Sequence, residues 1–283
     1  MELETQVNES TIVPFHKLVS NARKGQFGNT LCYYTRKHYD TWNDPRVTAL
    51  PSNIVNDMSI LYVGAHNGTI PIQMAIKFQP KLIEAIDIDS KLLNQGADLC
   101  KLVDQFSTRE DIESLKVIND LGASCEDPFV KVHRLVKEMK LNQKLSQRIL
   151  FRAMNILDPC DAYKNKRYDT IFCLNVTKYI HLNFGEGGLH SLFHNIFELL
   201  NVGGFFVLQA QSTKSYQKFK SFAPILAENY KNILTKPENF QAFLTTHFSY
   251  RLIYNVEVDL SKNKNKPPKT ILIFGKFDTK TRL

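Results

Sequence analysis

The sequence predicts an α/β fold with a seven-stranded, mostly parallel sheet that ends in a C-terminal antiparallel hairpin. From about residue 59, short apolar runs alternate with helical stretches, which is typical of parallel strands joined by right-handed crossovers. A loop with two glycines follows the first of these strands. The last two apolar runs flank a short Lys/Asn/Pro segment that leaves no room for a crossover helix, so they should pair antiparallel.

Two strand–helix units open the predicted sheet. Residues 59–63 and 82–87 are apolar runs of strand length, ended by a glycine in the first case and by an aspartate in the second. The stretches that follow them, 69–78 and 90–103, place apolar side chains at helical spacing. Pro71 stands near the start of the first helix, where proline is tolerated because the early N–H groups have no partner inside the helix.

The remaining elements complete the outline. We predict strands at 149–153, 169–174 and 205–208, a helix at 188–200, a turn at 201–204, and the terminal hairpin from the runs 250–258 and 270–277. Five strands joined by helices and followed by such a hairpin form the Rossmann-like outline of a class I S-adenosylmethionine-dependent methyltransferase.

The chain is expected to form one methyltransferase domain over residues 25–283, preceded by an N-terminal tail at 1–24. Residues 104–148 interrupt the α/β pattern with eight acids and eight bases, most of the acids coming first. We predict a helical or partly flexible insertion there. Its charges fit solvated helix faces as well as they fit a partner site.

The amino-acid composition indicates which partners and which cellular compartment suit the protein. The 36 basic residues outnumber the 28 acidic ones by eight, which favours polyanionic partners. No apolar run approaches the roughly 18 residues of a spanning helix, and the N-terminus lacks the pattern of a signal peptide. The five cysteines include no Cys-x-x-Cys pair, which argues against a disulfide framework or a metal site and suits a reducing, intracellular compartment.

The loop after the first strand is the candidate cofactor site. It reads Gly64-Ala65-His66-Asn67-Gly68, and its glycines would let a ligand approach backbone N–H groups at the start of a helix. Asp87, followed by Ile88, ends the next strand 23 positions after Gly64, where an acid can accept hydrogen bonds from a ribose. Asp89, two positions further on, is the neighbouring candidate. A plain strand-to-helix turn would explain the loop by itself equally well.

Residues 174–189 carry the most specific pattern. They include Val176-Thr177-Lys178, Tyr179, His181-Leu182-Asn183 and the segment 185–189. This block closely resembles the signature of the bicoid-interacting-protein type of RNA 5′-phosphate methyltransferases. Further matches are Gly28-Asn29 with Tyr33-Tyr34, Asn155-Ile156-Leu157, and Lys236-Pro237-Glu238-Asn239-Phe240. The resemblance covers about residues 25–277, apart from 104–148.

The resemblance implies S-adenosyl-L-methionine as cofactor and the 5′ end of a small noncoding RNA as substrate, without a metal. The cofactor would be bound by Gly64, Ala65, His66, Asn67, Gly68, Asp87, Ile88, Asn155, Ile156 and Asn175. The catalytic candidates are Lys178, His181, Tyr33 and Tyr34. RNA would be bound by Arg36, Lys37, Lys178, Gln211, Lys214, Tyr216, Lys218 and Lys220. Nuclear ribonucleoprotein subunits would be partners, and no membrane is expected.

A terminal phosphate is already ionised, so its methylation needs positioning and charge stabilisation more than a strong base. Lys178, with Arg36 or Lys37, can neutralise phosphate charge. His181 could donate a hydrogen bond, or could be a helix-capping or core histidine. Tyr33 or Tyr34 could bind phosphate, cover the cofactor, or simply pack.

The chain departs from the family at three places, and these keep a second function open. Tyr62 stands where an acid is usual, Lys37 replaces an arginine, and residues 209–213 lack the usual acid, prolines and tryptophan. A non-catalytic RNA-binding subunit of a ribonucleoprotein is therefore the second hypothesis. A small-molecule or protein methyltransferase is the third, and it needs no basic surface. The segments 214–236 and 262–283, with net charges of +4 and +6, favour nucleic acid over membrane.

Overall fold

The computed structural model describes residues 25–28, 44–107, 143–158, 163, 165–260 and 267–278. The helices are α1 (Pro45–Thr48), α2 (Thr69–Phe78), α3 (Ser90–Ser107), α4 (Leu145–Arg148), α5 (Thr177–Leu199), α6 (Thr213–Phe219), α7 (Pro224–Lys231) and α8 (Phe240–His247). The strands are β1 (Ser59–Val63), β2 (Leu82–Asp87), β3 (Ile149–Ala153), β4 (Tyr168–Leu174), β5 (Leu200–Gln209), β6 (Tyr250–Val258) and β7 (Lys269–Lys276). Short 3₁₀ turns occur at Ser52–Ile54, Lys220–Phe222 and Pro237–Asn239.

The seven strands form one sheet in the order β3-β2-β1-β4-β5-β7-β6. Strands β1 to β5 pair in parallel, and β7 runs antiparallel to both β5 and β6. This arrangement confirms the predicted class I methyltransferase fold with its terminal hairpin. The parallel strands were predictable because helices cover both faces of such a sheet, so residues 60–63 of β1 are all buried and read as one apolar run.

Helix α2 packs directly behind the loop that follows β1. Every residue of α2 except Lys77 is buried, which matches the apolar spacing that predicted this helix at 69–78. Helix α3 continues to Ser107, four residues beyond its predicted end. It therefore extends into the predicted insertion, and α4 lies at the other end of it. Residues 108–142 lie outside the described part of the chain, as does the tail at 1–24.

Helix α5 differs most from the prediction. It begins at Thr177, whereas the prediction at 188 was wrong by eleven residues. The helix turns at Gly185, which has a φ of 66°, and continues through buried leucine and phenylalanine side chains. The glycines around this position hid the first two turns, because glycine is a poor helix former.

The predicted turn at 201–204 is a bulge inside β5. Leu200 pairs with Tyr168 and Phe205 with Thr170, so the intervening residues have no counterparts on β4. Gly203 has a φ of 82° in this bulge. The strand is therefore assigned from Leu200, five residues before the predicted start.

A buried ionic cluster lies on β2, away from the carboxyl ends of the strands. The carboxylate of Glu84 is 2.8 Å from Lys166 Nζ and 2.9 Å from Arg152 Nε, and it accepts a 3.0 Å hydrogen bond from the hydroxyl of Tyr168. Glu84 is almost fully buried, whereas both cationic side chains reach solvent. The cluster compensates the cost of placing a charge inside the sheet.

None of the described helices has both the length and the apolar character required to span a membrane.

Candidate active site

A cavity of about 880 Å³, counting the space that opens to solvent, lies at the carboxyl ends of the strands. It sits where the strand order reverses between β1 and β4, the usual ligand position in an open α/β sheet. The wall is formed by Phe27, Gly28, Arg46, Tyr62, Val63, Gly64, His66, Ile86, Asp87, Ile88, Met154, Asn155, Ile156, Leu174, Asn175, Val176, Tyr179, Ile180 and Phe184.

Gly64 is required at the floor of this cavity. It has a φ of 75°, and a Cβ atom there would lie 2.2 Å from Cγ2 of Val176. Its N–H donates to the carbonyl of Ile86 at 2.9 Å, which ties the loop to β2. Only glycine combines this backbone conformation with so close an approach.

Three predicted cofactor residues of the loop do not reach the cavity. Ala65 is buried in the core, the Asn67 amide accepts a 2.8 Å hydrogen bond from the hydroxyl of Thr69, and Gly68 packs against the ring of Phe151. The chain turns into α2 at this point, so these residues face the helix. None of the three lines the cavity, and their role as cofactor contacts stays a prediction.

Asp87 lies at the cavity edge, and backbone N–H groups orient both of its carboxylate oxygens. One oxygen accepts from the backbone N–H of His66 at 2.8 Å and the other from that of Asp89 at 2.9 Å. Burial raises the pKa of Asp87, and these hydrogen bonds oppose that rise. A carboxylate oxygen can accept a second hydrogen bond, so Asp87 could still bind a ribose diol. Asp89 instead accepts from the backbone N–H groups of Lys91 and Leu92 at the start of α3.

Asn155 and Asn175 line the cavity with side chains that are held locally. The Asn155 amide accepts from the N–H of Leu157 at 3.1 Å and donates to Asp158 at 3.2 Å. Asn175 has a φ of 61° and donates to Oε1 of Gln209 at 2.7 Å. Both residues therefore shape the wall around Ile156 and Ile88, which present apolar surface.

Two wall residues that sequence reasoning did not assign to the site complete the cavity. Arg46 is buried and forms a bidentate pair with Asp44, with N–O distances of 2.7 and 2.9 Å. A guanidinium in a ligand cavity is suited to a carboxylate. Tyr62 is also buried and stacks on Phe172, with ring centroids 5.9 Å apart. With an acid for a ribose, apolar surface for a base and a cation for a carboxylate, the wall fits S-adenosylmethionine.

Lys178 lies beside the cavity as a nearly buried cation. Its Nζ atom is 3.2 Å from the hydroxyl of Ser215. The same atom lies 4.5 Å from the ring centroid of Tyr179 and 4.6 Å from that of Phe219. Aromatic faces stabilise a cation without neutralising it. Because Tyr179 is part of the cavity wall, this charge is held next to the cofactor site.

Further lysines lie on α6 and in the 3₁₀ turn that follows it. Lys214 and Lys218 are exposed, whereas Nζ of Lys220 packs 4.6 Å from the ring of Tyr230. The carboxylate of Glu238 accepts from both the N–H and the hydroxyl of Thr213, at 3.1 and 2.6 Å, and so fixes the start of α6. The Lys-Pro-Glu stretch therefore supports the lysine-bearing helix.

His181, a catalytic candidate with a core histidine as the alternative, does not line the cavity. It is fully buried, and its Nε2 atom lies 3.0 Å from Glu186. Its ring packs against Tyr216 and Phe240, with centroid distances of 5.7 and 6.4 Å. Burial lowers its pKa despite the neighbouring carboxylate. His181 is a core residue.

Tyr216 and Gln211, which were predicted to bind RNA, are also used internally. Tyr216 is only 1% exposed. Gln211 accepts from Thr177 at 3.3 Å and from the N–H of Lys178 at 3.2 Å, and its amide donates to the carbonyl of Asn175. It thereby caps the start of α5. Tyr216 is therefore buried away from any RNA, whereas Gln211 remains partly exposed.

Tyr33, Tyr34, Arg36 and Lys37 lie outside the described residues, as do Lys262, Lys264 and Lys266. Among the described residues, no cluster of three or more His, Cys, Asp or Glu side chains could hold a metal ion.

Glu186 should make stability depend on pH in acid. Burial raises its pKa, but hydrogen bonds from Thr235, Leu234 and His181 outweigh this and lower it from 4.5 to about 2. Stability from these bonds is therefore complete above about pH 4.5 and is lost as pH falls towards 2. We expect Glu186→Gln to lower the free energy of unfolding at pH 7 by about 1–3 kcal/mol. Urea unfolding at pH 7, 4 and 3 measures this.

The acid-dependent loss should also become smaller in Glu186→Gln, because the titrating group has been removed. An acid slope equal to that of the unmodified protein would show that other carboxylates cause it. The isosteric change at the exposed Glu228 is the control and should alter neither quantity.

The sheet order, the glycine after β1 and the acid that ends β2 define a class I methyltransferase, the class of fold that uses S-adenosylmethionine as cofactor. The model of the Bicoid-interacting protein 3 (Bin3) family matches residues 168–276. A probable RNA methyltransferase of Arabidopsis thaliana is 32% identical over 258 residues, which cover 88% of this chain and 80% of that relative. The chain belongs to the Bicoid-interacting protein 3 family.

The chain is similar to two further proteins, to the first in sequence and to the second in fold alone. The 7SK snRNA methylphosphate capping enzyme of Homo sapiens is 27% identical over 246 residues, covering 79% of this chain but only 35% of that relative. The crystal structure of magnesium protoporphyrin IX methyltransferase from Synechocystis PCC 6803 superimposes with a TM-score of 0.50 at 11% identity. It covers 89% of this chain and 91% of that one, so the fold is shared.

Proposed function

We propose that the protein is an S-adenosylmethionine-dependent RNA methyltransferase that transfers a methyl group to the 5′-terminal phosphate of a small noncoding RNA. Family membership supports the reaction class, and the human relative is named as a methylphosphate capping enzyme. The observation that carries the proposal is the position of Lys178, a nearly buried cation between two aromatic rings beside the cofactor cavity.

The cofactor end of the site would be held by residues already oriented in the fold. Asp87 would accept from the ribose, and Arg46 would bind the carboxylate of the methionine moiety. Ile88, Asn155 and Ile156 would form the surface beside the base. Bound S-adenosylmethionine supplies an electrophilic methyl group on a sulfonium sulfur.

The acceptor end needs charge stabilisation more than proton transfer. A terminal phosphate oxygen is ionised at neutral pH, so it would need no general base to accept the methyl group, whose bond to the sulfonium sulfur would break as S-adenosylhomocysteine leaves. Lys178 would hold that phosphate in line, and its partial burial would strengthen the interaction relative to water. The internal position of His181 agrees with a reaction that uses no histidine base.

The exposed lysines of α6 would bind the phosphates that follow the 5′ end. Lys214 and Lys218 lie on the helix that contributes Ser215 to the Lys178 site. The proposal includes a small nuclear RNA as the substrate. It also includes ribonucleoprotein subunits as further partners and the nucleus as the location.

Incubation with methyl-labelled cofactor tests the proposed reaction. Three transcripts of one sequence, ending in 5′-triphosphate, 5′-monophosphate or 5′-hydroxyl, are compared as acceptors. We expect label only in transcripts that carry a 5′ phosphate, and its release when the terminal phosphates are removed enzymatically. Equal labelling of the 5′-hydroxyl transcript would show that methylation occurs inside the RNA.

Tyr62 favours a second candidate function, a non-catalytic RNA-binding subunit. Its phenol occupies the wall position where the class usually has an acid. Under this alternative, calorimetry would detect RNA binding but no heat from S-adenosylmethionine or its product. Cofactor binding in the micromolar range would exclude it.

A further inference from the structure

A short N-terminal segment covers part of the cofactor cavity. This covering segment, Gly25–Gly28, forms a turn in which the N–H of Gly28 donates to the carbonyl of Gly25 at 3.0 Å. Phe27 and Gly28 belong to the cavity wall, and the ring of Phe27 packs 6.1 Å from that of Phe184. The segment is far in sequence from the rest of the wall, so its position depends on contacts with α5.

Asn183 provides polar contacts that hold the covering segment to α5. Its amide oxygen accepts a 2.8 Å hydrogen bond from Nε2 of Gln26. Its amide nitrogen donates to the carbonyl of Gln26 at 3.2 Å and to that of Tyr179 at 2.7 Å. One side chain therefore links the covering segment, through both its backbone and its side chain, to the helix turn that carries Tyr179.

The fit between Gly28 and Tyr179 shows how close this association is. A Cβ atom on Gly28 would lie 2.6 Å from the Tyr179 ring, so the backbone of the segment lies directly on that ring. Asn183 itself is not part of the cavity wall. Any effect it has on the ligand must pass through Phe27, Gly28 and Tyr179.

We infer that Asn183 is a positioning residue for the cofactor: it fastens the covering segment over the cavity and thereby sets how long the cofactor stays bound. The inference concerns cofactor binding only and holds for any methyl acceptor. It predicts that loss of these hydrogen bonds mainly increases the dissociation rate, because the segment then spends more time away from the cavity.

Alanine substitution tests the inference through binding of S-adenosylhomocysteine to the full chain without RNA. We expect Asn183→Ala to weaken binding about tenfold, with a similar rise in the dissociation rate. The matched control is Asn229→Ala. It removes a 2.9 Å hydrogen bond from a side-chain amide to the carbonyl of Leu182, on the same helix but away from the covering segment. Its affinity should stay within twofold of the unmodified chain.

A double-mutant cycle separates positioning from general loosening of α5. Gln26→Ala changes only the peripheral segment, so it should fold normally and weaken binding about fivefold. Combined with Asn183→Ala it should add little, because both changes release the same contact. Combined with Asn229→Ala it should show its full effect.

Two outcomes would overturn the inference. One is equal affinity of Asn183→Ala and Asn229→Ala, and the other is no binding of S-adenosylhomocysteine by the unmodified chain. A failure to methylate RNA would leave the measured binding effects unchanged, so it would reject the proposed function and not this inference.

Discussion

Replacing Gly64 with alanine is expected to weaken binding of S-adenosylhomocysteine by more than about 100-fold. The new methyl group would lie 2.2 Å from Val176, on a backbone with a φ of 75°. Left-handed backbone costs about 1–2 kcal/mol for a residue with a Cβ, and overpacking costs about 1–3 kcal/mol more. Val176 cannot easily retreat, because Asn175 before it is tied to Gln209. The loop must therefore move into the space needed by the cofactor.

Two glycines provide controls that separate the causes. Gly203 has a φ of 82°, but no atom of the described residues lies within 4 Å of the place that a methyl group on it would take, so Gly203→Ala carries backbone strain without a clash. Gly187 has open space and helical backbone, so Gly187→Ala should be neutral or stabilising by up to about 1 kcal/mol. Calorimetry measures the affinity of each of the three variants for S-adenosylhomocysteine. Unchanged affinity in Gly64→Ala would show that the cofactor does not contact this loop.

Lys178→Met is expected to reduce RNA methylation by about 100- to 1,000-fold while cofactor affinity stays within twofold. The change keeps the length and apolar stem of the side chain but removes a charge that would stabilise the reacting phosphate, an effect of about 3–4 kcal/mol for one such donor. The rings of Tyr179 and Phe219 can still pack on the methionine. Single-turnover methylation of 5′-triphosphate RNA and direct binding of S-adenosylhomocysteine measure the two quantities.

Lys218→Met is the matched control for Lys178→Met. This lysine is exposed on α6, so its loss should lower RNA affinity only a few-fold. It should also reduce the dependence of log affinity on log salt by about 0.7, the value for one phosphate contact on single-stranded RNA. If Lys178→Met methylated RNA at the rate of the unmodified chain, Lys178 would have no role in the reaction. An equal fall in cofactor affinity would show a packing defect.

The early part of the fold was predictable because its signals are local. Strand β2 and helix α2 have the bounds that apolar periodicity indicated, since buried parallel strands and an almost fully buried helix leave few polar positions. The course of α5 was not predictable from local signals. Leu189, Phe193 and other buried side chains continue this helix past a glycine that local propensity would treat as a helix end. Tertiary packing decided that element.

The residues of the candidate site were predictable where backbone geometry determines their position. They were less predictable where side-chain packing determines it. Gly64 and Asp87 follow from the strand ends, whereas no pattern around Arg46 indicates that it lines the cavity. His181 and Tyr216 belong to the recurring pattern without lining the cavity, because such a pattern does not distinguish residues of the chemistry from residues that support the fold. In the structure their rings pack on one another, and His181 belongs to the same helix as Lys178.

The ionic cluster on β2 constrains how this chain can diverge. Loss of Glu84 by itself would leave Lys166 and Arg152 facing each other beside the hydroxyl of Tyr168, whereas joint replacement by apolar groups could cost little. A sequence that has lost only part of the cluster is thus less stable than one with the complete cluster or one with an apolar replacement of all of it. Related chains should carry these four positions as an inherited set, kept or exchanged together.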